Sequence, residues 1–186
     1  MIEYIAEHKD FLSVLPYMGV FQFPAIKGYW ATESRFPPLT DTMSVKRYQV
    51  LRRRVHFNNS FQTESSTDRY VKIHPLFDKF RQQCLLIPAT NKHSMDEVMV
   101  AYKGTRAGNL RQYIQSKPDK WGFKIFCRGS SSGIIHDFIL YQGAATFCNI
   151  QEEEAAHLGL EDYLLGGKII SILCNTITNK GNCGVL

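Results

Sequence analysis

The chain has 186 residues, 44% apolar and 12% aromatic, and its 22 Lys and Arg against 17 Asp and Glu give a formal charge of +5. That composition excludes wholesale disorder and can build one ordinary domain or two small ones. No apolar run approaches the roughly 18 residues of a membrane-spanning helix, and the charged start (Glu3, Glu7, Lys9, Asp10) does not read as a secretory leader, so a cytosolic or nuclear protein is expected, with no membrane partner.

From Met1 to about Phe61 large apolar residues recur three and four apart, interrupted by Pro16, Pro24 and Pro37-Pro38, which predicts short helices joined by turns. Asp41 is the expected N-cap of a helix reaching about Phe57, with Tyr48, Leu51 and Val55 on its inner face. Its outer face carries Lys46, Arg47, Arg52, Arg53 and Arg54 without an intervening acid. Such a run suits phosphate contact, although a merely solvated helix face is the commoner meaning of a lone basic stretch.

The polar stretch Asn58 to Asp68 predicts a connection, and a second helix follows with Pro75 in its first turn and Leu76, Phe77, Phe80 and Cys84 as a packing stripe. Near residue 90 the texture changes, which divides the chain into a helical region, 1–90, and a second region, 91–186. Period-two alternation then predicts strands over Met95–Tyr102, Trp121–Arg128 and Ile134–Tyr141, the first covered on both faces and the last two forming an antiparallel hairpin. A helix is expected from about Gln151 to Leu165, and Lys168–Thr176 could form another.

The five cysteines show no C-x-x-C pair and the six histidines are dispersed, so reduced thiols and no structural zinc are expected. Asp96 shares a strand face with Val98 and Val100, which predicts a partly buried carboxylate needing a cation or hydrogen-bond donors; backbone groups or Arg106 could serve. Glu97 points to the opposite face. Asp137 lies on the third of these strands. Between Lys92 and Arg128, Lys103, Arg106, Lys120 and other cations outnumber acids and interleave with Tyr102, Tyr113 and Trp121. The aromatics could contact exposed bases, though large aromatics more often pack in a core.

The segments S-M-D-E-V-M-V-A-Y-K-G-T-R (94–106), K-P-D-K-W-G-F-K-I-F (117–126) and H-D-F-I-L-Y-Q-G (136–143) resemble the start of the piggyBac transposase catalytic domain. Upstream, F-P-A-I-K-G-Y-W (23–30), R-F-P-P-L-T-D-T-M (35–43) and H-F-N-N (56–59) resemble the region that precedes it. The resemblance implies an α/β fold, an incomplete ribonuclease H-like mixed sheet preceded by an α-helical region. It also implies that Asp96 matches the first of three aspartates that hold two divalent metals, magnesium or manganese, in a complete relative. The second aspartate belongs to a D-N-F-F-T-S-like strand, expected about where Asn182-Cys183-Gly184-Val185-Leu186 stands. The resulting expectation is a truncated, catalytically inactive transposase-derived protein, nuclear, with weak non-specific DNA binding. The alternatives are a fragment that binds itself or a full-length relative through an open sheet edge, and a gene-remnant product without selected activity.

Overall fold

The computed structural model describes residues 2–58, 67–88, 91–105, 107–177 and 184–185. Two compact units divide between His56 and Phe57. Helix 74–85, placed by texture in the first region, packs in the second unit, because its apolar stripe is completed by strand residues far along the chain.

In the first unit, α1 (Ile2–Val20), a 3-10 turn (Ile26–Trp30), α2 (Pro37–Thr40) and α3 (Val45–Arg54) enclose Phe11, Val14, Tyr29, Leu39, Tyr48 and Leu51. The break expected at Pro16 does not occur; α1 continues through it. A mid-helix proline removes one backbone donor. Packing on both sides of it compensates: Phe11 and Val14 are buried before Pro16, while Tyr17 and Phe21 meet Phe36 after it. Helix α3 starts later than expected. Ser44, not Asp41, caps it by accepting the Arg47 N–H at 3.3 Å. Asp41 instead pairs with Arg35.

The second unit is built on β1 (Lys92–Ala101), β2 (Gln112–Tyr113), β3 (Trp121–Ser130), β4 (Ile135–Leu140) and β5 (Gly184–Val185). β3 is central, antiparallel to β1 on one side and to β2 and β4 on the other, and β5 runs parallel to β1 at Lys92–His93. The expected mixed sheet preceded by helices is therefore present. Gly122 explains one feature of the W-G-F run: a Cβ there would stand 2.2 Å from the Val100 carbonyl oxygen, so only glycine lets β1 and β3 approach at that end.

Helix α4 (His74–Leu85) covers one sheet face, burying Cys84 with Phe138 and Leu140 and packing Phe77 against Phe138. It covers β4 and β3 but not β1. Val98 and Val100, expected inside, are 45% and 46% exposed, and an apolar hollow of about 400 Å3 lies between Ile73, Phe77, Phe123, Val100 and Tyr102. The helix expected over 151–165 is divided: α5 (Glu152–His157) stops at Gly159, whose φ of 61° is left-handed, and a 3-10 turn follows. Helix α6 (Leu165–Asn175) buries Ile169, Ile172 and Leu173.

Candidate nucleic-acid interface

On α3, the burial of Tyr48 and Leu51 fixes the helix rotation, and Lys46, Arg47, Arg52, Arg53 and Arg54 all fall on the exposed side. Arg47 is engaged by Glu7, and this guanidinium hydrogen bond holds the Glu7 carboxyl below its usual range. Among the described residues no acid pairs with Lys46, Arg52, Arg53 or Arg54. The three arginines occupy the last turn, where the negative end of the helix dipole favours cations. A charge cluster left unneutralised on a rigid helix is what a phosphate backbone can use.

In the second unit, pairing of β1 with β3 brings together cations that are distant in sequence. The Tyr102 N–H donates to the Trp121 carbonyl at 3.1 Å, so Lys103 and Lys120, both exposed, flank the same end of the sheet. Arg106, the third cation assigned there from sequence, lies outside the described residues. Tyr113 and Trp121, which composition alone would send to a core, are 51% and 47% exposed and face each other in register with ring centroids 4.9 Å apart.

Asp96 corrects an expectation. Its side chain is 70% exposed, because the face it shares with Val98 and Val100 is the uncovered part of the sheet. It sits in no buried network, and Arg106, offered from the sequence as its partner, lies outside the described residues. Lys117, from the connection between β2 and β3, donates to Asp96 Oδ2 at 2.9 Å and reaches Glu97 Oε1 at 3.6 Å, while the Glu97 N–H donates to Asp96 Oδ1 at 2.8 Å. The Lys117 hydrogen bond holds the Asp96 carboxyl below its usual range. Nothing in the sequence pattern picks Lys117 from its neighbours; only the path of the connection does.

This donor set does not fit a two-metal centre. One carboxylate, with an ammonium on one oxygen and an amide on the other, offers too few ligands, and among the described residues no three His, Cys, Asp or Glu side chains converge. Asp137 is unsuited to join it. It is fully buried and its oxygens are taken by Arg81, Thr176 and the Phe138 N–H.

Comparison with known proteins places these features in context. A family profile described as Transposase IS4 matches residues 5–184. The human piggyBac transposable element-derived protein 3 is 27% identical over 141 residues, covering 74% of this chain and 23% of the relative. The human piggyBac transposable element-derived protein 2 is 28% identical over 142 residues with the same coverage. The chain thus spans about a quarter of the length of these curated relatives. A piggyBac transposase solved by cryo-electron microscopy as a synaptic complex with hairpin DNA matches with a TM-score of 0.65 and 20% identity, over 83% of this chain and 33% of that one.

Proposed function

We propose, from the premise that this chain belongs to the piggyBac-type transposase family, that it is a DNA-associating segment of the ribonuclease H-like type that does not by itself complete a catalytic centre. The observation that carries the reading is the unpaired cluster Lys46, Arg52, Arg53 and Arg54 on one exposed side of α3. The synaptic complex of the solved relative with hairpin DNA supports it. Binding is weak and non-specific, since the contacts are to phosphate and a net charge of +5 is a modest footprint. Asp96 is the residue offered to magnesium or manganese in a complete enzyme; here it contributes a single carboxylate. We place the association in the nucleus, where DNA is.

The test is retention of duplex DNA as salt rises. Reversing Arg52, Arg53 and Arg54 to Glu is expected to lower affinity at least tenfold at 50 mM salt and to flatten the slope of log K against log salt by about 2 to 3, as loss of three phosphate contacts predicts. Retention indistinguishable from a neutral control protein, or unchanged by the reversal, overturns the reading.

A second reading rests on a different observation. Among the described residues, Ser94–Ala101 of β1 pairs with β3 on one side and with no strand on the other, and Val98 and Val100 are half exposed beside that edge. Such an edge accepts an added strand from another copy or from a longer relative. Binding of that kind is untouched by the α3 reversals, which separates the two readings.

A further inference from the structure

Lys117 is placed by its neighbours in the chain. Pro118 fixes its own φ and biases the residue before it towards extended backbone. The connection between β2 and β3 is closed on itself around them: the Lys117 N–H donates to the Ile114 carbonyl at 3.4 Å, and the Ile114 N–H to the Lys120 carbonyl at 2.8 Å. A built turn thus presents this lysine, and its side chain is only 24% exposed.

The ammonium meets two carboxylates. It donates to Asp96 Oδ2 at 2.9 Å and lies 3.6 Å from Glu97 Oε1, although successive side chains of a strand leave it on opposite faces. The Glu97 N–H takes Asp96 Oδ1 at 2.8 Å, so both Asp96 oxygens have donors. The Lys117 hydrogen bond holds the Asp96 carboxyl below its usual range and the Lys117 ammonium above its own, so both groups are charged at neutral pH. Two adjacent carboxylates attract cations from solution, and divalent ones most, since the attraction scales with charge and their oxygens are hard ligands. Here a positive charge from 21 residues further along the chain already stands between them. An ion pair this open to water contributes little to stability, as the Asp96 side chain is 70% exposed. Its consequence is electrostatic: the net charge that a metal ion would meet is halved.

We infer that Lys117 is the resident counter-cation of Asp96 and Glu97, and that by holding this position it keeps divalent metal ions from the carboxylate pair. Shortage of ligands makes the pair a weak metal site; Lys117 makes it an occupied one. The α3 arginines, which carry the DNA-association reading, take no part in this.

The experiment uses the full 186-residue chain and reads manganese(II) binding from its electron paramagnetic resonance signal. The variants are Lys117→Met, Lys117→Arg, Asp96→Asn, and Lys117→Met combined with Asp96→Asn. Methionine keeps the reach of the side chain without its charge, and arginine keeps the charge. Lys117→Met is expected to bind manganese about tenfold or more tighter than the unsubstituted chain, because a unit charge about 4 Å from the divalent ion is removed. That gain is expected to vanish in the double variant and to be absent in Lys117→Arg. Thermal unfolding, little changed by loss of an exposed pair, confirms that each variant folds. If the unsubstituted chain binds manganese as tightly as Lys117→Met, with the affinity lost in Asp96→Asn, Lys117 keeps nothing out and the inference falls. It falls equally if Lys117→Met gains no affinity, since ligand number alone then excludes the metal, or if the gain survives Asp96→Asn, since the ion then sits elsewhere. Duplex retention, tested through Arg52, Arg53 and Arg54, stands or falls separately.

Discussion

Asp68 shows what a single residue contributes where the sequence offers no motif. It is buried in the turn leading into α4, accepts the Tyr70 N–H at 2.9 Å, and is in hydrogen-bond contact with His74 Nδ1. Burial opposes its ionisation, but the Tyr70 and His74 hydrogen bonds outweigh burial and hold the carboxyl below its usual range. The fold therefore prefers the carboxylate. A group with a depressed folded pKa adds stability that is complete above its unfolded value, about 4, and is lost as pH falls through the folded value. Asp68→Asn is accordingly expected to cost about 1.5 to 3 kcal/mol at pH 7, the usual worth of hydrogen bonds to a charged group, and progressively less below pH 4. Urea unfolding at pH 7 and pH 2.5 checks this; a cost equal at both values would sink the assignment. Cys127 illustrates the reverse effect, since burial, with Cys84 nearby, pushes its thiol up to about 11, the state of an inert packing residue.

Among the elements, β4 is fastened by a buried charge. Asp137 receives Arg81 of α4 through Nε at 2.5 Å and Nη2 at 3.1 Å, and the Thr176 hydroxyl just after α6 at 2.7 Å. The same hydroxyl accepts from Arg128 Nη2 of β3 at 3.1 Å, so one carboxylate links helix to sheet on both sides of the edge strand. The Asp137 hydrogen bond raises the Arg81 pKa and keeps it charged. Removing one partner of a buried pair leaves the others unsatisfied, at about 3 to 5 kcal/mol. Asp137→Ala is expected to destabilise the second unit by that amount, and Arg81→Ala by less, because Arg81 is about a third exposed and water can replace part of its role. Chemical denaturation followed on both variants decides; a loss under 1 kcal/mol for Asp137→Ala contradicts the clamp.

At the scale of the whole molecule, the question is whether the chain can cut DNA. With magnesium or manganese, the purified chain is expected to show no nicking or strand transfer above an Asp96→Ala control. The reason is ligand number and not affinity for DNA, as a two-metal displacement needs several convergent carboxylates and Asp96 supplies one, already bonded to Lys117. Metal-dependent cleavage abolished by Asp96→Ala would show that the chain, alone or as a second copy, assembles ligands not seen among its described residues.

The amino-acid sequence alone marked the family and the three long strands, but not β2, β5, the run of α1 through Pro16 or the division of 151–165. Period-two alternation marked β1, β3 and β4, the short Gly129–Gly133 turn marked the hairpin, and the spaced runs around Asp96, Trp121 and Asp137 carried the resemblance, because these are local patterns written in adjacent residues. It could not decide burial. Whether Asp96, Val98, Tyr113 and Trp121 lie inside or outside depends on where a helix happens to cross the sheet, and α4 crosses over β3 and β4 while leaving β1 and the end near Trp121 bare. Nor could it supply the partners of charge. Lys117 with Asp96, Arg81 with Asp137 and Arg47 with Glu7 join positions 21, 56 and 40 residues apart, and only folding sets such distances. What separates the two is range: alternation and capping act over a few bonds, whereas covering a face or neutralising a carboxylate requires segments that only the tertiary structure brings together.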